Sequence, residues 1–483
     1  MLGNSHPPSP QFVFMRFFCD PSPAYGQIYC ASVVFTRGSE WPDAPDDAIE
    51  LRARRQSFQA PSLSALLRVP GGDPFDLEHG VRHDELVRRL NERLQRSQPC
   101  IYVGYGLPEL EVLRQVSYRS LCNPYVADAQ NCGYADMRLI AATISMVEPD
   151  AIRWPGAPSC DEIACFASLL NANALLAVDE RDLCEPQAFV AATIALADHL
   201  QKRAPSAFAM ALACAYPECV KAVVDRGLFL HAAIRGGRPR IRALMTISSR
   251  ATTAAVRYCI DISEFLEQSD ADLEAGRRPE RFSLIKLTPN AHEIAIPLSG
   301  SPFSDRFRRL VEVGESGDPP PSVARLETCA RRLRSSGRLL RALRDLVAQR
   351  EAAPLAPDAP VDECLQSGPP IEGRDLEFCR RVLAAPVADK QRLARLIAHP
   401  CLRALARRHI WEAAPFLLPP DEFVEYAIFK RARLLGPIDS RWRTLARVRD
   451  DLSQLEASAA PDQVDQLARI AAYLDAVEAS VRA

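Results

Sequence analysis

The sequence has no run of eighteen consecutive apolar residues, so no membrane-spanning helix is expected. It has no C-x-x-C pair either. Cys160 and Cys165 are five apart, as are Cys214 and Cys219, and neither spacing suits a zinc knuckle. The fifteen cysteines lie mostly among apolar residues, as Cys259 does in AVRYCIDI, and read as buried reduced thiols. Lysine is scarce. Only Lys202, Lys221, Lys286, Lys390 and Lys430 occur, so arginine carries nearly all positive charge, a bias that fits a GC-rich genome better than a selected chemistry. A global excess of positive charge is missing too. The formal net charge is -2, so nucleic-acid binding would need a local patch. The first residues, MLGNSHPPSPQ, lack the charged and apolar regions of a signal peptide, and a cytoplasmic location is expected.

What is present is ordinary for a folded chain: 48% hydrophobic and 25% charged over 483 residues, a length that calls for about two to four domains. FVFMRFF at 12–18 and QIYCASVVFT at 27–36 have the length of buried strands, and IELRARRQSF at 49–58 alternates like a third. HDELVRRLNERLQRS places Leu86, Val87, Leu90 and Leu94 at helical spacing. CIYVGYG at 100–106 reads as a strand ending at glycines, followed by a helix through Leu113, Val116 and Leu121. Three early strands and then alternating helix and strand predict an α/β domain with a mixed sheet. QAFVAATIALADHLQK at 187–202 is an apolar helix that Pro186 can open, with Glu185 as its cap. RALMTI, AVRYCIDI, FSLIKL and HEIAIPL then read as short strands, ending near the ESGDPPPS stretch at 314–321. Helices resume at Val323, with a break at Gly337, and the proline-rich stretch 352–373 reads as an extended linker. In the last helix Val464, Leu467, Ile470, Leu474, Val477 and Val481 form one stripe.

Several of these segments resemble bacterial exonuclease I, in the right order. FVFMRFFCDPSPA resembles the family's first strand and turn. IYVGYG resembles the strand ending in G-Y-N-N, and RQVSYRSLCNPY the helix ending in Asp-Pro-Tyr. EPDAIRWPG resembles a segment reading R-P-E-G-I-x-W-P, the most distinctive match. AFVAATIALA is similar to the helix carrying the last catalytic aspartate, AVRYCIDIS to a strand of the SH3-like domain, and APDAPVDECLQSG to the linker that follows. The resemblance spans about residues 10–450. It implies an RNase H-like exonuclease domain over 1–205, a β-rich SH3-like domain with helical insertions over 206–350, a linker over 351–373 and an all-helical domain over 374–483.

The family hydrolyses phosphodiesters with two metal ions, and hard Mg²⁺ requires carboxylates around it. The sequence departs from that pattern. The Asp-x-Glu pair of the first strand falls on Arg16 and Phe18, the histidine on Cys184 and the helix aspartate on Phe189. The aspartate after the glycine turn falls near Glu109, where the chain is about two residues shorter. Asp136 matches a further acidic position, beside the metal ligands rather than among them. A carboxylate and a divalent ion 4 Å apart attract by roughly 8 kcal/mol at an effective dielectric near 20, and an arginine there turns attraction into repulsion. The resemblance therefore implies a catalytically inactive paralogue of a single-strand 3'→5' exodeoxyribonuclease, of DNA repair type, that needs no cofactor. Two alternatives stay open. One is an active, Mg²⁺-dependent enzyme with a displaced site drawn from Asp20, Glu109 and Glu185, with Asp179 and Asp182 nearby. The other is a scaffold that docks the acidic, apolar tail of single-strand DNA-binding protein.

Remaining signals concern partners. IRGGRPRIR sets Arg235, Arg238, Arg240 and Arg242 in a glycine-rich turn, which suits phosphate oxygens of single-stranded DNA as well as it suits a solvated loop. Arg407, Arg408, His409, Lys430, Arg431 and Arg433 read as a helix surface. His79 and His83, four apart, read as a solvated pair, Trp154 as a packing residue, and Cys184 lacks a histidine base.

Overall fold

The computed structural model describes the chain apart from residues 1–10, 21–24, 37–46, 70–71, 107, 156–160, 248–255, 267–283, 288–291, 312–320, 352–359, 368, 459–462 and 483. Most of the expected boundary at 314–321 and part of the proline-rich linker lie outside the described residues. A mixed sheet organises the first part. Strands β1 (Gln11–Cys19), β2 (Ile28–Thr36), β3 (Asp47–Arg52), β4 (Cys100–Gly104) and β5 (Gly133–Asp136) take the order β3-β2-β1-β4-β5. β1, β2 and β3 pair antiparallel, while β4 joins β1 and β5 joins β4 in parallel. The third strand starts and stops earlier than its alternation suggested, because Ala53 leaves the ladder to bridge Val81.

Alternation along β1 divides two cores, since successive side chains of a strand point to opposite faces. Val13, Met15 and Phe17 pack with Leu86, Val87, Leu90 and Leu94 of a helix over His83–Arg96, whose period put them on one face. Phe12 and Phe14 pack on the other side with Phe189, Leu196 and Leu200 of the Pro186–Arg203 helix. That second core continues without a break into an antiparallel sheet, order β10-β6-β7-β8-β9, through Phe229, Ile241, Leu244, Ile260 and Ile296. Its strands are β6 (Leu228–Arg235), β7 (Arg238–Thr246), β8 (Arg257–Asp261), β9 (Leu284–Leu287) and β10 (Ile294–Pro297). The two sheets thus share one hydrophobic core. Helices follow, from Val323–Ser335 and Gly337–Glu351 to Val464–Arg482. The linker is not extended throughout. Residues Val361–Glu363 and Cys364–Ser367 form short helical turns that bury Asp362 between Arg408 and Arg433. No single helix among the described residues is long and apolar enough to cross a membrane.

The histidine pair of the sequence separates. His79 is exposed, whereas His83 is buried and its Nε2 accepts the Ile28 N–H at 3.2 Å. His409, expected on a helix surface, is also buried, 3.4 Å from Asp84. Burial pushes His83 down to about 3 and His409 down to about 4, in the latter case against the pull of Asp84. The unfolded chain takes up these protons near pH 6.5, the folded chain only near 3 to 4. Stability is therefore full above pH 6.5 and falls as pH drops through that window, by about 1.4 kcal/mol per histidine per pH unit. Between pH 6.5 and 5.5 the two histidines should together cost about 2 kcal/mol, offset in part by proton uptake at buried carboxyls, so the fall in urea-unfolding stability on acidification should be about 2 kcal/mol larger in wild type than in a His83→Gln/His409→Gln variant.

Candidate active site

Four elements converge at one end of the first sheet. Arg16 lies on the Phe12–Phe14 face of β1, beyond the last residue of that strand paired to β4. β4 ends at Gly104, and the chain turns through Gly106 at φ 88° into a helix over Pro108–Arg119. Glu109 sits in that helix's first turn. Glu162 opens a helix over Glu162–Ala172 that Asp161 caps by accepting the Ile163 N–H at 2.8 Å. Carboxylates suit both places, because helix N-termini carry partial positive charge. Glycine suits the positive φ of this turn, and a Cβ on Gly106 would crowd the Glu162 carboxylate, 3.0 Å from its Oε1.

Arg16 Nη1 donates to Glu109 Oε1 at 2.9 Å and to Glu162 Oε1 at 3.1 Å. Its Cζ lies 3.9 Å from the centre of the Phe189 ring. Behind Phe189, Phe166 is 4.9 Å away and stacks on Tyr105 at 4.1 Å, so aromatic rings close the floor of the site. Glu109 is only 2% exposed. Burial pushes its carboxyl up, to about 7, against the opposing charge of Arg16; burial raises Glu162 as well. Asp136 caps the following helix and accepts the Gly106 N–H at 2.8 Å, which holds the glycine turn in place. A cavity of about 310 Å³ opens over this cluster, lined by Arg16, Phe18, Arg68, Glu109, Glu162 and Cys184 among others.

This donor set does not fit a divalent cation. A guanidinium, not a metal, joins the two glutamates, and Phe189 covers it. Among the described residues no group of three or more His, Cys, Asp or Glu side chains is placed to hold a metal ion.

A scan against protein-family models finds no match, and no curated protein matches the chain. Solved structures do match, along nearly the whole length. Exonuclease I from Methylocaldum szegediense superposes with a TM-score of 0.77 at 17% identity, covering 97% of this chain and 99% of the other. The zinc-bound E. coli exonuclease I–single-stranded DNA complex gives 0.77 at 16% identity, covering 97% and 100%. A complex of single-strand DNA-binding protein and exonuclease I with the inhibitor CFAM gives 0.75 at 16% identity, covering 97% and 100%. The chain has the exonuclease I fold. Its mixed sheet and many helices follow exonuclease I over 97% of its length.

Within the exonuclease I fold, Arg16 contacts both Glu109 and Phe189, and Phe18 and Cys184 line the cavity beside them. The displaced set does not assemble. Asp20 shares parity with Arg16 in sequence, but a register shift between Phe18 and Cys19 turns it away. It is buried and accepts from Tyr29 Oη at 3.0 Å, Ser62 N at 3.1 Å and Arg443 Nη1 at 2.6 Å. Glu185 makes no side-chain cap and faces Arg52 at 4.0 Å. Asp179 and Asp182 accept backbone N–H groups of their own exposed turn. The Cys184 thiol is raised by burial and donates to the Glu180 carbonyl, which does not suit a nucleophile.

Glu162 was missed. Its only signal was the Asp-Glu pair ahead of an apolar helix, an ordinary helix start. The arginine run is strand rather than loop. Gly236 and Gly237 alone form the turn, both at positive φ, and Arg235 pairs across it with Arg238. Pairing sets Arg235, Arg238, Arg240 and Arg242 on one face of the β6–β7 hairpin. Arg235 and Arg238 are exposed; Arg240 and Arg242 are half-buried. Trp154 Nε1 donates to the Gly237 carbonyl at 2.9 Å, so the I-x-W-P segment braces the hairpin tip while packing on the core. The second basic set divides: Arg407 and Arg431 lie exposed on helix surfaces, Arg407 pairing with Glu425, whereas Arg408 and Arg433 are held by buried Asp362.

Proposed function

We propose that this chain is a catalytically inactive, exonuclease I-like protein that binds single-stranded DNA and serves DNA repair or recombination. The observation that carries this reading is the Arg16 guanidinium, 2.9 Å from Glu109 and 3.1 Å from Glu162. Two-metal hydrolysis needs cations shared among carboxylates. Here the shared cation is a side chain that cannot deprotonate, activate water or leave. No Mg²⁺ or other cofactor is required. Purified protein should leave 3'-labelled single-stranded DNA intact with Mg²⁺ or Mn²⁺, and metal-dependent shortening lost in an Asp20→Ala or Glu109→Ala variant would restore the displaced-site reading.

Phosphate contacts are separable from chemistry, so a fold can lose its metals and keep its strand. The hairpin face of Arg235, Arg238, Arg240 and Arg242 supports such binding. Binding should weaken with salt, with a log–log slope of about -0.7 per phosphate contact. Arg238→Ala/Arg240→Ala should reduce that slope by roughly one to two units in fluorescence anisotropy titrations. No salt-sensitive binding at low ionic strength would sink the DNA reading.

A scaffold reading has its own observation. The Pro420–Leu435 helix and the turn before it expose Phe416, at 80%, with Leu417, Val424 and Ile428, beside Arg431. That combination suits an acidic, apolar tail such as that of single-strand DNA-binding protein. Capture by a tail peptide without DNA would favour it.

A further inference from the structure

The Val323–Ser335 and Gly337–Glu351 helices meet the shared core on one side only. Leu326, Cys329, Ala330 and Leu333 of the first, with Leu339, Leu343 and Val347 of the second, are buried in it. The outer side is arginine. Arg325, Arg331, Arg334, Arg338, Arg341 and Arg344 are all exposed. Against them stand two acids, Glu327 and Asp345, among the described side chains of these helices. Among the described residues no carboxylate pairs with any of the six guanidinium groups. Arg331 donates instead to Thr328 Oγ1 at 3.0 Å, Arg334 to the Gly227 carbonyl at 3.4 Å and Arg341 to the Gly337 carbonyl at 3.1 Å. The His83–Arg96 helix differs in this respect. There Arg88 pairs with Glu85 and Glu92, Arg89 with Glu85, and Arg93 with Asp47.

Local structure does not account for the stripe. Arg334 lies in the last turn of its helix, where the helix dipole favours a cation, but Arg338 lies in the first turn of the next, where the dipole disfavours one. Arg338, Arg341 and Arg344 recur every three residues, each step rising about 4.5 Å and turning about 60° around the axis, so they stand side by side on one face. Like charges at that spacing repel. Asp345, four residues beyond Arg341, forms no ion pair with it. The stripe therefore costs the helix stability unless an anion from outside offsets it.

The rest of the face selects the kind of anion. None of the large exposed hydrophobic side chains falls between residues 321 and 351, so a protein partner would find no apolar anchor. The same stretch contains no Phe, Tyr or Trp, so the bases of a single strand would find no ring to stack on. A duplex needs neither. Its bases already stack on one another, its phosphates face outward at about one charge per 1.7 Å of axis, and guanidinium groups match phosphate oxygens in geometry and charge. We propose that the outer face of these two helices binds the phosphate backbone of a nucleic-acid duplex, without reading base sequence. This surface shares no residue with the Arg16 cluster or the β6–β7 hairpin, so it stands or falls apart from the function proposed above.

The test uses the full chain and fluorescence anisotropy. A short labelled DNA duplex should bind at low salt, and a duplex of unrelated sequence should bind equally well. Affinity should fall with salt, with a log–log slope of about -0.9 per phosphate neutralised. Arg338→Ala/Arg341→Ala/Arg344→Ala should weaken duplex binding by about tenfold or more and lower that slope by about two to three units. Alanine suits exposed helical positions, and the thermal midpoint reports folding. Arg338→Lys/Arg341→Lys/Arg344→Lys should keep the slope, because it counts charges. Arg238→Ala/Arg240→Ala should lower single-strand binding and leave duplex binding unchanged, which separates failure of this surface from failure of the hairpin. A labelled oligoglutamate peptide that depends on Arg338, Arg341 and Arg344 and binds more tightly than the duplex would make the partner an acidic protein and overturn the proposal. It is equally overturned if the duplex does not bind, if the triple alanine variant binds it as wild type does, or if that variant loses the single strand as strongly as the duplex.

Discussion

Replacing Arg16 by methionine should destabilise the folded chain by about 3–5 kcal/mol, the usual loss when one partner of a buried ion pair is removed. Methionine keeps much of the apolar stem and its contact with Phe189. It leaves Glu109 almost wholly buried with no cation within reach, beside Glu162. Part of that loss is recovered because burial already raises the Glu109 carboxyl, which can take up a proton and become neutral. The loss should therefore shrink as pH falls toward 5. A second change, Glu109→Gln, should return a large share of the stability at neutral pH. Urea unfolding of wild type, both single variants and the double variant measures the coupling between the two side chains. Additive losses would mean that the pair is not an energetic unit.

Arg16→Asp carries the larger qualitative effect. It converts one cation between two carboxylates into three carboxylates meeting at one point. Without a divalent cation those charges repel, and the variant should be less stable than Arg16→Met in the presence of a chelator. With Mn²⁺ or Mg²⁺ it should gain stability, by about 2.7 kcal/mol once the metal exceeds its Kd a hundredfold, while wild type gains none. Thermal shift with and without chelator reads the difference, and Mn²⁺ electron paramagnetic resonance reads binding directly. A folded Arg16→Asp chain indifferent to metal would show that the two glutamates are not positioned as ligands. Adding Phe18→Glu and Phe189→Asp extends the test to hydrolysis of single-stranded DNA.

Much of this arrangement was legible along the chain because it follows from periodicity and order. β1 alternates, so parity alone puts Phe12, Phe14 and Arg16 on one face. The His83–Arg96 and Pro186–Arg203 helices follow from their apolar spacing and from Pro186 at the first turn. The exonuclease I resemblance drew attention to Arg16, Phe18, Glu109 and Phe189, and the structure brings Arg16, Glu109 and Phe189 into contact. What failed was set by neighbours distant in sequence. Strand β6 was overlooked, since LFLHAAIR is bounded by no alternation of its own and is a strand only because β7 and β10 flank it. Asp20 follows strand parity until a register shift at its doorstep hands it to Arg443, more than four hundred residues away. His409, Arg408 and Arg433 read as surface, yet Asp84 and Asp362 draw them inward. Local sequence carries backbone preference and the facing of side chains within one element. Which charges meet is decided by packing between elements, and a buried charge is stable only beside a partner that sequence distance does not reveal. The sequence by itself determined that Arg16, Phe18, Cys184 and Phe189, none of them a carboxylate, stand in the segments that resemble exonuclease I. Only the tertiary structure decided that Arg16 bridges Glu109 to Glu162, because that contact needs two helix N-termini and a strand end to close on one guanidinium.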